Sequence, residues 1–268
     1  MEPILIIILV AAGIIVGLGQ GLLGVGGAFI MVPVMVAVFD HLGWEQDIAV
    51  KMAFGTSLLV IFPAAVATTV AHHRKRAIWW KAAIVMGIAG AAGSLLGATL
   101  TTQVIGGEVM KKAFGAVVIL ASVRLFTAKA VESNEIASER PFFWAIFGFL
   151  VGLFSGLLGA GGGILLVPVM VMVLKFRMHQ AVATSAAVMV FTSGAGALGY
   201  LVNGLHVSGL PGGSLGYFSL TAWLCLAPTS IAMTQVGTWA AHRLSARVLK
   251  TVFVVVMIVV GLRMLGAF

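Results

Sequence analysis

Long runs without a charged residue constrain this chain more than any other feature. The first of them covers residues 3–39. Of the 268 residues, 61% are hydrophobic and 9% are charged, whereas soluble domains carry about 25% charged residues. So few charges cannot cover a surface that faces water, and a membrane-spanning helix needs about 20 apolar residues. The sequence therefore predicts an all-α integral membrane protein that is surrounded by the lipid bilayer.

Eight hydrophobic units follow one another along the chain. Short links hold most of the charged residues, and a longer polar segment, KAVESNEIASER at 129–140, divides the units four and four. Units one and five are about 34–37 residues long, too long for one crossing and too short for two crossings with a turn. The eight units are residues 3–39, 48–71, 77–104, 109–128, 141–174, 180–203, 214–241 and 246–267.

An internal duplication relates the two sets of four units. GLGQGLLGVGGAFIMVPVMV at 17–36 and GLFSGLLGAGGGILLVPVMV at 152–171 are identical at thirteen of twenty positions without a gap. AFGTS at 53–57 also resembles AVATS at 181–185. Self-similarity at this scale indicates repeated structural units. We therefore expect a first repeat, a polar linker and a second repeat, at 1–128, 129–140 and 141–268.

The Lys and Arg residues distinguish two ways of threading these units through a membrane. If every unit crosses once, the 16 basic residues divide eight to eight between the two sides, against the positive-inside rule. If units one and five each enter and leave on one side, the division is twelve to four. This second arrangement predicts two inverted repeats, each a broken re-entrant helical hairpin plus three transmembrane helices. Both termini then face outside, together with Lys51, Lys111, Lys112 and Arg263.

Glycine clusters interrupt both long units at matching places. Irregular backbone is tolerated in a membrane only where protein or a water-filled cavity covers it, and glycine permits the unusual dihedral angles. A helix that starts after such a break directs free N–H groups and its positive dipole end at the break, which suits an anion. The predicted binding glycines are Gly24, Gly26, Gly27, Gly159, Gly161 and Gly162, and the residues that shape the breaks are Gly21, Pro33, Gly156 and Pro168.

Helix packing is the alternative interpretation of these glycines. Gly17 and Gly21, like Gly152 and Gly156, have the small-xxx-small spacing that lets membrane helices approach closely.

Six polar side chains near the breaks complete the predicted site. Gln20 and Ser155 occupy equivalent positions inside the breaks, and their side chains can hydrogen-bond an oxyanion. Bonding between helices is the alternative for both. The other four lie early in units two and six, where a back-bond to their own helix is the alternative: Thr56, Ser57, Thr184 and Ser185.

The paired block G-x-x-x-G-x-x-G-x-G-G-(x)5-P, with Thr-Ser in the next helix, resembles the TauE/SafE sulfite exporter family over essentially the whole chain. This resemblance implies the movement of a small sulfur-containing anion such as sulfite, thiosulfate or an organosulfonate. It implies a class of substrate and no particular compound. When the two copies are aligned, Gln20 matches Ser155 and Ala28 matches Gly163. The two halves of a site therefore differ chemically.

A secondary transporter that works by alternating access is the function we expect, because inverted repeats with broken helices are typical of that class. A channel for anions or small solutes is the alternative. No paired carboxylates or metal-ligand cluster points to an enzyme or a cofactor, and no G-x-x-x-x-G-K-[ST] loop is present. Energy must then come from a gradient, of protons or sodium, or from a partner. The net charge of +8 lies in links, which favours orientation in a bacterial inner membrane over nucleic-acid binding.

Overall fold

The computed structural model describes residues 3–23, 27–127, 140–240 and 246–266. Within these ranges the chain forms ten α-helices and a short π-helical segment, and no strand. The α-helices are α1 Pro3–Leu23, α2 Ala28–His41, α3 Gln46–Arg74, α4 Trp80–Gln103, α5 Gly107–Thr127, α6 Pro141–Leu158, α7 Gly163–Pro168, α8 Met178–Gly204, α9 Leu220–Ala240 and α10 Ala246–Leu265, and the π-helical segment is Val169–Val173.

The helices have the lengths and composition of membrane spans. In the described part of the chain five are both long and apolar enough to cross a bilayer, and they lie in α1, α3, α4, α6 and α8. The helices α5, α9 and α10 contain 20 or 21 residues, which is about 30 Å at 1.5 Å per residue. The predicted all-α, multi-pass membrane protein is confirmed.

Both long hydrophobic units are split, at the glycine clusters. The first break separates α1, which ends at Leu23, from α2, and the second separates α6, which ends at Leu158, from α7. Gly159, Gly161 and Gly162 have φ angles of 64°, 67° and 85°, a left-handed conformation that glycine adopts without strain. At Pro168 the helix passes into the π-helical segment, where proline supplies no N–H group to continue the α-helical ladder.

The seventh unit is shorter than predicted. It was expected to cover 214–241, but α9 begins at Leu220, and residues 205–219 form a loop. Gly209, Gly213 and Gly216 have positive φ angles there, so the backbone turns repeatedly although the loop carries no Asp, Glu, Lys or Arg. The linker predicted at 129–140 lies outside the described residues, apart from Arg140.

Two pairs of helices, α1 with α9 and α6 with α4, pack at close range through glycines. In the first pair Gly17 lies against Ser230, and a Cβ added at Gly17 would be 2.9 Å from the Ser230 Cα. In the second pair Gly152 lies against Gly90, with 2.6 Å from the added Cβ to the Gly90 Cα. The helix-packing interpretation therefore describes Gly17 and Gly152.

These two seams share one register. One turn before Gly17 and Gly152, Gly13 lies against Leu226 and Gly148 lies against Met86. The contacting residue numbers rise together on both helices of each pair, so both pairs are parallel. Each glycine-bearing helix that precedes a break, α1 or α6, therefore packs along a long helix from the other half of the chain, α9 or α4.

The remaining long helices also have defined directions. The pairs α3/α8 and α5/α10 are antiparallel, and the pairs α3/α9, α3/α5 and α4/α8 are parallel. The antiparallel pair α3/α8 has the contacts Leu58–Gly196 and Gly55–Tyr200, and the antiparallel pair α5/α10 has Gly115–Met264 and Ile119–Gly261. Among the parallel pairs, α3/α9 has Thr56–Ser219 and Leu59–Trp223, and α3/α5 has Asp47–Gly107 and Phe54–Phe114. The parallel pair α4/α8 has Gly90–Thr192 and Ala98–Gly199.

Candidate substrate site at the helix breaks

Protein hydroxyl groups occupy the carbonyl oxygens of the second break. These hydroxyls come from α3 and α8, the two long helices that cross beside the break. Gly156 O accepts from the Tyr200 hydroxyl at 3.0 Å, Gly159 O from Ser57 Oγ at 2.5 Å, and Gly161 O from Thr192 Oγ1 at 3.0 Å. Three carbonyl oxygens at or beside the break are thus paired inside the protein.

Three amide groups of the same break are left open, whereas those of Gly159 and Ala160 donate to Ser155 O. The N–H groups of Gly161, Gly162 and Gly163 donate to no other residue in the described ranges, while Leu165 and Leu166 donate to Gly162 O and start α7. All three glycines are buried. Because buried backbone N–H groups are almost always paired, this break presents donors that suit a ligand with several acceptor atoms.

Ser155 adds a side-chain donor at this break. It is 1% exposed, and its hydroxyl has no hydrogen-bond partner. A Cβ added at Gly162 would lie 3.7 Å from the Ser155 Cβ. Ser155 and Gly162 both line a small pocket whose other walls are apolar: Phe114, Val117, Val118, Phe154, Leu158, Ala160 and Leu165. Ser155 and Gly162 therefore lie beside one pocket, whose accessible surface is apolar.

The first break repeats much of this pattern. Gln20 is 3% exposed, and neither its side-chain oxygen nor its nitrogen has a partner. Ile30 and Met31 donate to Gly27 O, as Leu165 and Leu166 do to Gly162 O. The N–H groups of Gly27 and Ala28 donate to no residue that the structure describes. Gly24 and Gly26, also predicted to bind, lie outside the described residues.

The predicted Thr-Ser pairs have other contacts. Thr56 Oγ1 accepts the N–H of Ser219 at 3.0 Å, and Thr184 Oγ1 accepts the N–H of Trp79 at 3.1 Å. Ser219 precedes α9 and Trp79 precedes α4, so each threonine satisfies the start of a helix in the other repeat. Ser185 donates to Val182 O at 2.9 Å, which is the back-bond alternative. Within the described residues, Ser57 is the one of these four whose hydroxyl donates to a break; Gly24 and Gly26 of the first break lie outside them.

The residues assigned to shaping the breaks lie in the helices on either side. Gly21 and Gly156 are inside α1 and α6, where they contact Gly237 of α9 and Ala98 of α4. Pro33 is inside α2, and Pro168 ends α7.

Two residues that hydrogen-bond the second break could not be identified from the sequence. Thr192 and Tyr200 donate to its carbonyl oxygens, but the matched positions of the first repeat hold Ala64 and His72. A comparison of the two repeats therefore gives them no signal. In the described part of the chain, no three His, Cys, Asp or Glu side chains come together as metal ligands.

Replacing Ser57 tests how firmly the second break is held. In Ser57→Ala the buried Gly159 carbonyl loses its partner, and we expect a loss of about 1–3 kcal/mol in the free energy of unfolding. Ser193→Ala is the matched control, because the buried Ser193 hydroxyl donates to Met189 O of its own helix. Denaturation midpoints of the two variants in detergent check this, and equal midpoints would contradict it.

Interrupted helices, close glycine seams and buried open donors are features of helical membrane transporters. Comparison with known proteins gives the same class. The family described as sulfite exporter TauE/SafE matches residues 9–264, and this chain belongs to that family. This is a family of transporters, which confirms the prediction that the chain is not an enzyme.

Relatives match along nearly their whole length. A probable membrane transporter protein of Methanocaldococcus jannaschii is 31% identical over 98% of this chain and 96% of its own. Probable membrane transporter proteins of Bacillus subtilis and Haemophilus influenzae are each 26% identical over 97% of both chains. No solved structure matches.

Proposed function

We propose that this membrane transporter is a secondary carrier of a small sulfur-containing anion, of the sulfite, thiosulfate or organosulfonate type. One observation carries the proposal: at the second break the carbonyl oxygens of Gly159 and Gly161 accept from protein hydroxyls, while the amides of Gly161, Gly162 and Gly163 and the Ser155 hydroxyl stay open. This excess of open donors favours an anion over a cation or a neutral solute.

Sulfur oxyanions suit this set of donors. Each carries several oxygen atoms around one centre, and each oxygen accepts hydrogen bonds from more than one direction. Hydrogen bonds to a charged acceptor are about twice as strong as neutral ones, and they strengthen in surroundings of low dielectric constant. Since the donors are neutral, the empty site carries no formal charge that would have to be buried between transport cycles. The family's description as a sulfite exporter supports the same substrate class.

The proposal includes two repeats that point in opposite directions. Taken pairwise, the helix contacts make α1, α3, α5 and α9 run one way and α4, α6, α8 and α10 the other. Each long helix of the first repeat is then opposite in direction to its counterpart in the second. The rings of Trp79 and Phe176 lie 5.0 Å apart, so the basic links before α4 and α8 share one end, as the positive-inside rule favours for a cytoplasmic face.

Alternating access follows from this arrangement, because two similar halves of opposite direction can exchange conformations around a shared site. The carrier then draws energy from a gradient, of protons or sodium, or from a partner, in a bacterial inner membrane. Gln20, Gly24, Gly26 and Gly27 would provide the first half of the site. Ser155, Gly159, Gly161 and Gly162 would provide the second, where Gly159 contributes through its conformation.

The direct test is flux in liposomes. Purified protein should take up labelled sulfite, thiosulfate or a small sulfonate with saturable kinetics and should show counterflow, whereas sulfate, phosphate and carboxylates serve as comparison anions. Uptake without saturation or counterflow would identify the alternative, a channel. Absence of flux for every sulfur anion would overturn the proposed substrate class.

Ser155→Ala tests the site itself. Loss of one hydrogen bond to a charged ligand costs about 1.5–3 kcal/mol, so we expect KM to rise about tenfold or more without a matching loss of folded protein. Ser193→Ala is the control, since the Ser193 hydroxyl is buried in α8 and donates to Met189 O of its own helix. An unchanged KM in Ser155→Ala would remove Ser155 from the site.

A further inference from the structure

A buried lysine lies where α3 and α5 begin. Lys51 is 8% exposed, and no other charged residue whose side chain the structure describes is as buried. Its Nζ atom lies 2.6 Å from Asp47 Oδ2, one turn earlier in α3. Asp47 Oδ1 accepts the N–H of Gly107, the first residue of α5, also at 2.6 Å. The Asp47 carboxylate therefore occupies an anion site formed by an ammonium group and a backbone amide.

Membrane orientation gives no reason for a lysine here. Lys51 lies at the end opposite the basic links, where the positive-inside rule disfavours Lys and Arg. Burial of an ammonium group also costs free energy unless a partner compensates. The second repeat holds Lys175 and His179 at the positions that match Asp47 and Lys51, so the pair is a property of this end alone.

The seam between α3 and α5 connects Lys51 with the second break. One turn after Lys51, the ring of Phe54 packs on the ring of Phe114, with centroids 5.8 Å apart. Phe114 lines the pocket that Ser155 and Gly162 also line. The order along the seam is therefore ion pair, aromatic pair and pocket, and Asp47 is the more exposed member of the ion pair, with 37% of its side chain accessible against 10% for Lys51.

We propose that Lys51 binds the transported anion at the mouth of a route between α3 and α5, and that Asp47 is the internal counter-ion that the anion replaces. This inference rests on the proposed function. The displaced Asp47 carboxylate is 37% exposed and can turn to water, so the buried ammonium group exchanges one anionic partner for another and always has a counter-ion. Separation of Phe54 from Phe114 then admits the anion to the pocket.

Two substitutions with opposite expected effects test this role. In Lys51→Gln the anion loses its charged partner, and KM for thiosulfate should rise about tenfold or more. In Asp47→Asn the internal competitor is gone while the amide oxygen still accepts from Gly107, so KM should fall severalfold. Thiosulfate should also raise the denaturation temperature of Asp47→Asn by more than that of the wild type, since binding to the folded state stabilises it.

Controls separate this role from a structural one. Lys112→Gln removes a lysine that pairs with Glu108 at the same spacing but is exposed, and it should leave KM unchanged. Lys51→Arg should keep most of the affinity. If Lys51→Gln does not fold because Asp47 is left without its partner, the double variant Asp47→Asn/Lys51→Gln restores neutrality and should still show the raised KM.

The outcomes distinguish the inference from the proposed function. If Lys51→Gln behaves like Lys112→Gln, or if Lys51→Gln and Asp47→Asn shift KM in the same direction, the role of Lys51 is wrong while anion transport stands. If the wild type transports neither sulfite nor thiosulfate, both proposals fail.

Discussion

Of the single substitutions proposed for this protein, Gly152→Ala is expected to lower the free energy of unfolding the most. An added Cβ would lie 2.6 Å from both the Cα and the carbonyl carbon of Gly90 and would contact the Gly90 oxygen. All of these are backbone atoms, which cannot rotate away, so α6 and α4 must separate along their whole seam. Overpacking costs typically about 1–3 kcal/mol, and with backbone on both sides we expect about 3 kcal/mol or more.

The measurement is the midpoint of unfolding in a detergent series. Gly212→Ala is the matched control, because Gly212 has open space around its Cα and lies in the loop before α9. We expect Gly17→Ala to resemble Gly152→Ala, since the α1/α9 seam has the same register. Equal midpoints for Gly152→Ala and Gly212→Ala would show that the two seams are not close-packed.

Gly162→Ala should have the largest effect on transport. The φ angle of Gly162 is 85°, where a side chain costs about 1–2 kcal/mol. The methyl group would lie beside Ser155 and 3.4 Å from side-chain atoms of Leu166 and Val151, so the fold accommodates it. It would, however, displace the anion and turn the neighbouring amides. A displacement of about 1 Å among positioned groups costs about 100-fold, and we expect transport to fall by about that factor.

A strain-matched control isolates this effect. Gly209 has a φ angle of 84° with no atom within 4 Å of an added Cβ, so Gly209→Ala carries the backbone strain without touching the site. Initial rates in liposomes, normalised to folded protein, should fall for Gly162→Ala alone. Similar initial rates for Gly162→Ala and Gly209→Ala would show that transport does not depend on the second break.

The breaks could be predicted from the sequence because clustered glycines within a long apolar run indicate an interrupted helix, whatever the overall composition. Two matching clusters, at Gly24–Gly27 and Gly159–Gly163, lie in runs too long for one helix, and α1 and α6 end beside them. The start of α9 was placed too early because a loop without acidic or basic side chains looks like a helix when only charge is counted. The π-helical segment after Pro168 could not be predicted from the sequence, because the matching proline, Pro33, lies inside the α-helix α2.

The site was harder to predict than the fold. Comparison of the repeats favours matched residues, and it selected Thr56 and Thr184, whose hydroxyls accept the first amide of a helix in the other repeat. It could not find Thr192 or Tyr200, which serve one break only. It also grouped Lys51 with the link charges, because its burial depends on α5, which lies far away in sequence. Gln20 and Ser155 are buried, but they lie near the ends of α1 and α6 and not inside the breaks as expected, and their contact with substrate stays a prediction.

The exchange of helix starts between the repeats has a consequence for how the chain is assembled. Thr56 completes α9, Thr184 completes α4, and each glycine-rich first helix finds its groove on the opposite repeat. A repeat by itself would expose two helix faces and one unsatisfied amide to lipid, where such groups are costly. Each repeat is therefore half of a cooperative unit, and a protein with a single copy of it could become stable only by pairing with a second copy that supplies these contacts.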